Sequence, residues 1–153
     1  MPCFYNKGMD KQERYDHLYM DLAVRVSLMS HAERAKVGAI VVKDDNIISF
    51  GWNGTPKGFD NSCEYADFAD HTYTKKEVIH AEQNCIAKLA KSGHSSDGAT
   101  LYVTLSPCFT CSTSLIQSGI KRVVYKRAYH TDGCVLLEKA GIEVSQIKEN
   151  YDA

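Results

Sequence analysis

Only 3 prolines and a single tryptophan occur in the 153 residues, and no repeat or low-complexity tract interrupts them. Nothing therefore marks a linker, and residues 1–153 read as one domain, long enough to bury about 70% of its unfolded surface. No stretch reaches the roughly 18 apolar residues of a membrane-spanning helix. An excess of either charge is also missing: 18 Lys and Arg stand against 19 Asp and Glu, a formal net charge of −1. A protein that grips many phosphates of a polynucleotide carries a strongly basic face, so the balance favours a small ligand over a long nucleic acid. Met1-Pro2-Cys3-Phe4-Tyr5-Asn6-Lys7 has no apolar h-region, so the expected location is the cytoplasm. The six cysteines are then expected as reduced thiols and metal ligands, not disulfides. What remains, 44% hydrophobic and 24% charged residues, describes an ordinary globular domain.

Asp10 with Glu13 three residues on has the spacing of a capping box. Tyr15, Leu18, Leu22, Val26 and Met29 follow at helical steps, predicting a helix to about Ser30 with that face inward. Val37–Val42 and Ile47–Trp52 flank the turn residues Lys43–Asn46 and predict a β-hairpin. Asn53-Gly54-Thr55-Pro56-Lys57-Gly58 is a shaped loop, and residues 59–77 have no firm period. A second helix is expected from Ile79 to Lys91, with Cys85, Ile86, Leu89 and Ala90 inward. Extended runs at Ala99–Leu105, Ile120–Tyr125 and Ile142–Val144 alternate with helical stretches at Pro107–Ser118 and Asp132–Ala140. That alternation implies right-handed parallel crossovers. With the hairpin it predicts a three-layer α/β/α domain on a five-stranded mixed sheet.

Two short motifs carry the chemistry: His80-Ala81-Glu82 and Pro107-Cys108-Phe109-Thr110-Cys111. One His and two Cys make three ligands of a zinc site and leave a fourth position for water, as catalytic sites do. Ser106 and Pro107 suit the N-cap and first position of a helix, which would put both cysteines in its opening turns. There the helix dipole favours thiolate, and a three-residue step sets both sulfurs on one face. A CxxC pair alone fits a redox pair or half of a structural zinc site equally well. The redox reading leaves His80 unexplained. A structural zinc would need a fourth protein ligand, for which Glu82 is the obvious local one. The catalytic reading uses His80 and leaves Glu82 free beside the metal. Zinc on His80, Cys108 and Cys111 would lower the pKa of a bound water to give a hydroxide nucleophile, with Glu82 as the proton shuttle.

These motifs resemble those of the zinc-dependent cytidine and deoxycytidylate deaminases, from about Tyr15 to Val144. Val37-Gly38-Ala39-Ile40-Val41 resembles the family's first strand, and Gly51-Trp52-Asn53-Gly54-Thr55-Pro56-Lys57-Gly58 its Gly-Tyr-Asn-Gly-x-Pro-x-Gly loop. Asn84 follows the His-Ala-Glu motif, and Tyr102–Cys108 and Gly119–Tyr125 complete the match. The likeness is to the short bacteriophage type of deoxycytidylate (dCMP) deaminase. Trp52 stands where the family usually has Tyr, and His31-Ala32-Glu33-Arg34 replaces a common Lys-Asp-Pro segment.

The resemblance implies a cytidine-deaminase-like fold and hydrolysis of dCMP to dUMP and ammonia, supplying dUMP for thymidylate synthesis. It further implies substrate contacts from Asn53, Ser106 and Tyr125. An allosteric site at Gly51, Trp52, Asn53 and Gly54 would take dCTP as activator or dTTP as inhibitor, with Mg2+ accompanying the effector, in a homohexamer. Arg34, Lys36 and Lys57 are candidate cations for the substrate phosphate. Related phage enzymes can carry a second zinc, for which Cys3, Cys63 and His71 are the candidates. Cys85 and Cys134 read as small buried hydrophobes. The competing readings are a tRNA adenosine deaminase, which Trp52 favours, a free cytidine deaminase, and a non-catalytic nucleotide-binding zinc scaffold.

Overall fold

The Asp10 carboxylate accepts the Glu13 N–H at 2.8 Å and starts helix α1 (Lys11–Ser27) in a computed structural model that describes residues 8–149. Strands β1 (Gly38–Lys43) and β2 (Asn46–Trp52) follow as an antiparallel hairpin. Asp44 and Asp45 both have φ near +50 to +60°, the geometry of a two-residue turn matched to strand twist. Strands β5 (Thr100–Leu105), β6 (Arg122–Arg127) and β7 (Glu143–Gln146) complete a sheet of order β2-β1-β5-β6-β7. β1 meets β5 antiparallel, whereas β5, β6 and β7 are parallel. Helices α2 (Ala81–Ala90), α3 (Phe109–Gln117) and α4 (Asp132–Lys139) make the connections.

One core lies on each face. Ala39, Val41, Leu101, Val103 and Val123 meet Cys85 and Leu89 of α2, Leu115 of α3 and Leu137 of α4. On the other face Ile40, Val42, Tyr102 and Val124 meet Tyr19, Met20 and Ala23 of α1. This is the expected three-layer α/β/α domain with its five-stranded mixed sheet.

Two local expectations are corrected. The buried side of α1 is Asp16, His17, Tyr19, Met20, Ala23 and Ser27, while Leu18, Leu22 and Met29 are exposed. The helix is rotated because its small residues meet Gly38, where an added Cβ would strike Ala23 O and the Ser27 backbone. The polar Asp16 is buried because Arg122 grips it with bonds of 2.7 and 2.8 Å and Tyr102 Oη donates to it at 2.7 Å. In α2 Ala90 is exposed, and Cys85 and Leu89 carry the packing.

Residues without a firm period form a second, two-stranded sheet, β3 (Glu64–Ala66) with β4 (Thr72–Thr74). A ladder this short is marginal by itself. It is anchored by buried Cys63, by Lys75 N donating to Cys63 O at 2.8 Å and by Thr55 Oγ1 donating to Asp60 O at 2.6 Å.

Candidate metal centre and cavity

Both halves of the predicted site sit at helix starts. His80 is the N-cap of α2, where Gln83 Oε1 accepts the His80 N–H at 2.9 Å and fixes its backbone. Cys108 is the N-cap of α3, its sulfur accepting the Cys111 N–H at 3.4 Å. This replaces the expected Ser106 cap: the Ser106 hydroxyl is engaged elsewhere, donating to Tyr129 O at 2.8 Å and accepting Tyr129 N–H at 2.7 Å. Pro107 precedes the cap instead of opening the helix.

His80 Nδ1 lies 3.3 Å from Cys111 Sγ and 3.6 Å from Cys108 Sγ. All three ligand atoms fall within 4.8 Å of one another. Ligand bonds of about 2.0 Å to nitrogen and 2.3 Å to sulfur on a tetrahedral ion set neighbouring donors roughly 3.6 Å apart, so the trio fits one zinc ion. Burial, then the neighbouring Glu82 and Cys108, push the Cys111 thiol far up from its ordinary pKa. A divalent cation among the three donors reverses that preference. Glu82, two residues past His80, is 4% exposed, and burial raises its carboxyl pKa.

The site opens into a cavity of about 430 Å³, the size range of small-ligand pockets. His80, Glu82 and Cys108 line it, as do Asn53 and Ser106 from the predicted substrate set. Asn53 Oδ1 accepts Val37 N–H at 2.9 Å and its amide donates to Ala35 O at 2.8 Å. An amide has two lone pairs and two protons, so one of each stays available on a side chain already locked in place. Tyr125 is not among the cavity residues. It pairs with Val103 and packs against the core under α2–α4. Two residues on, Arg127 does line the cavity, as do Tyr129 and His130.

Of the three candidate cations, Arg34 lines the cavity and Lys36 and Lys57 do not. Sequence reasoning missed Arg127, Tyr129, His130, Glu64 and Thr74. The basic end of β6 was the available signal for Arg127, and the others had none.

Around the expected effector loop, Gly51 is a packing residue: an added Cβ would approach Asn84 Cβ at 2.9 Å and Ala81 O at 3.1 Å. Asn84 donates to Trp52 O at 2.6 Å. The Lys88 ammonium sits 4.3 Å from the Phe50 ring centroid and 5.2 Å from that of Trp52. Gly54 exchanges two backbone hydrogen bonds with Ile79, the residue before His80.

Of the second-zinc candidates, Cys3 lies outside the described residues. His71 pairs with Asp67 on the exposed hairpin, and Cys63 Sγ donates to Asn61 O at 3.6 Å. Among the described residues only His80, Cys108 and Cys111 gather as metal donors. Cys85 and Cys134 are buried as expected, and burial pushes the Cys85 thiol to about 12.

A mixed sheet between helix layers, with a His-Cys-Cys trio beside a buried free carboxyl at the starts of two helices, defines a mononuclear metal-site domain of the deaminase class. The sequence profile of the "cytidine and deoxycytidylate deaminase zinc-binding region" matches residues 13–127, and the chain belongs to that family. Deoxycytidylate deaminase of Enterobacteria phage T4 is 34% identical, over 87% of this chain and 90% of its own. That of Mycobacterium phage D29 is 36% identical, over 74% of this chain and 94% of its own. The dCMP deaminase of cyanophage S-TIM5, solved in complex with dCMP and dUMP, superposes with a TM-score of 0.82. It is 44% identical, covering 90% of this chain and 98% of the other.

Proposed function

We propose that this protein hydrolyses dCMP to dUMP and ammonia, supplying dUMP for thymidylate synthesis. The observation that carries the reading is the likeness, along nearly the whole chain, to a deaminase that binds dCMP and dUMP, combined with the His80–Cys108–Cys111 trio beside buried Glu82.

His80, Cys108 and Cys111 would hold a zinc ion, which supplies an activated water and a positive charge for the transition state. Glu82 does the proton work. Its carboxylate takes a proton from the attacking water and delivers it to the pyrimidine N3. It then passes the second proton to the amine that leaves C4 as ammonia. Burial raises its pKa, and a group that must both accept and donate works best when its pKa is near the operating pH. Asn53 and Ser106 contribute to the pocket that orients base and sugar, while Arg34 and Arg127 bring positive charge to it. Among the described residues neither arginine has an ion-pair partner, so their charge is available to a phosphate.

The reading extends to control. Gly51, Trp52, Asn53 and Gly54 form a site for dCTP as activator and dTTP as inhibitor, with Mg2+ on the triphosphate. The Lys88 ammonium over Phe50 and Trp52 supports it, as a cationic and aromatic surface suited to a nucleotide. The bonds from Gly54 to Ile79 link that segment to the residue before His80. A homohexamer would cover the exposed Leu18 and Leu22 of α1 and Met29 just after it. A cytoplasmic location agrees with thiol ligands that need a reducing compartment. No helix among the described residues is long and apolar enough to cross a membrane.

The test is ammonia release by the zinc-loaded protein from dCMP, cytidine and tRNA in parallel, each with and without dCTP and magnesium. Turnover of dCMP, raised by dCTP and lowered by dTTP, is the expected result. Turnover of tRNA alone, or of nothing, would overturn the reading.

A further inference from the structure

Arg34 is held at both ends by the β3–β4 hairpin. Glu64 Oε1 accepts the backbone N–H of Glu33 at 2.9 Å and of Arg34 at 3.2 Å. Directly across the hairpin, Thr74 pairs with Glu64, and its hydroxyl accepts from Arg34 Nη1 at 3.3 Å. Arg34, Glu64 and Thr74 all line the cavity that contains the metal trio.

We propose that Glu64 and Thr74 are positioning residues that aim Arg34 at the 5′-phosphate of the substrate, making the hairpin the element that selects nucleotide over nucleoside. The inference rests on the reading of the site as one for dCMP. A free arginine side chain loses substantial rotamer freedom when it clamps a ligand, and a guanidinium fixed beforehand avoids that loss at binding. Thr74 is a neutral acceptor, so it fixes the guanidinium without neutralising it. Glu64 takes two backbone N–H groups on one oxygen, which turns a carboxylate in the cavity wall toward the loop that carries Arg34. A direct Glu64–Arg34 ion pair would do the opposite and compete with the phosphate, and none is present among the described residues.

The experiment uses the zinc-loaded full chain and its Glu64→Ala, Glu64→Gln and Thr74→Val variants. It measures kcat and KM for dCMP, and equilibrium binding of dUMP and of deoxyuridine. Glu64→Ala and Thr74→Val are expected to raise KM for dCMP and weaken dUMP about tenfold, the scale of a lost charge-assisted contact. The kcat value should stay within about threefold and deoxyuridine affinity should hold, because the contact is uniform binding remote from the reacting atoms. Glu64→Gln should behave like the parent, since an amide oxygen accepts the same two N–H groups.

Equal weakening of dUMP and deoxyuridine would make the hairpin a plain wall and overturn the proposal, as would no weakening of either. Failure of Glu64→Gln to restore dUMP binding overturns it too. If Glu64→Ala does not fold, Thr74→Val, which touches only the guanidinium contact, carries the same decision. A parent protein that does not turn over dCMP would overturn the dCMP reading and this inference together. Intact dCMP turnover with unchanged selectivity overturns this inference alone.

Discussion

Ser106 and Tyr129 hold each other by a reciprocal pair: the Ser106 hydroxyl donates to Tyr129 O at 2.8 Å and accepts Tyr129 N–H at 2.7 Å. The end of β5 is thereby tied to the loop after β6, on the rim of the cavity. Ser106→Ala removes both bonds and is expected to cost about 1–3 kcal/mol. A lowered melting temperature together with a raised KM for dCMP checks this. Lowered stability with unchanged KM would mean that the tie serves only the fold.

Glu82→Ala should retain close to the parent's zinc content, because the three donors are untouched, yet lose turnover by about 10³-fold or more. Metal analysis and ammonia release on the same preparation measure the two quantities separately. Near-parental turnover with zinc present would remove Glu82 from the proton-transfer role.

Gly133 opens α4 against the start of α3, where an added Cβ would strike Pro107 O and approach Ser112 Oγ at 2.6 Å and Cys108 O at 2.8 Å. Gly133→Ala therefore must push the Cys108 backbone, and its zinc should be lost to a chelator at least about tenfold faster, given how steeply ligand geometry controls affinity. Gly93→Ala is the control, since nothing lies within 4 Å of its added Cβ. Identical zinc release in the two variants would show that Cys108 tolerates the displacement.

Burial opposes charge on Asp16, but hydrogen bonds from Arg122, Tyr102 and Gln12 and the Arg122 charge outweigh it, holding the carboxyl below its usual range. A depressed folded pKa contributes stability that is present above the unfolded value, near 3.9, and is lost as pH falls through the lower folded value. Asp16→Asn should then cost about 2–4 kcal/mol at neutral pH, because it leaves the half-buried Arg122 with only its 3.4 Å pairing to the exposed Glu143. The gap between variant and parent should be flat from about pH 5 to 8 and narrow below about pH 4. Denaturant titrations across that range follow it, and a gap independent of pH would exclude the ionised pair as its source.

The order of strands and helices was legible because each is bounded by its own punctuation: Asp10 before α1, the two aspartates between β1 and β2, Ser92-Gly93 after α2. The metal trio was equally plain, since both motifs begin helices and their spacing has few other uses. What escaped depended on distant partners. The buried side of α1 is set by Gly38 and Arg122, residues outside the helix, so a search for an apolar stripe chose Leu18 and Leu22 instead. The β3–β4 hairpin draws its support from bonds to Glu33 and Arg34, which no local periodicity registers. The Ser106 cap failed because Tyr129, more than twenty residues on, engages the hydroxyl first.

Because β1 runs against β5 while β6 and β7 run with it, the metal trio, Glu82 and the other cavity residues gather at one end of the sheet. The Asp44–Asp45 turn and the loops at Gly98, Gly119 and Gly141 lie at the other. Added Cβ atoms at Gly98 and Gly141 meet nothing within 4 Å. Those two loops are margins where a fluorophore, an affinity tag or a circular-permutation joint can be written without touching the cavity.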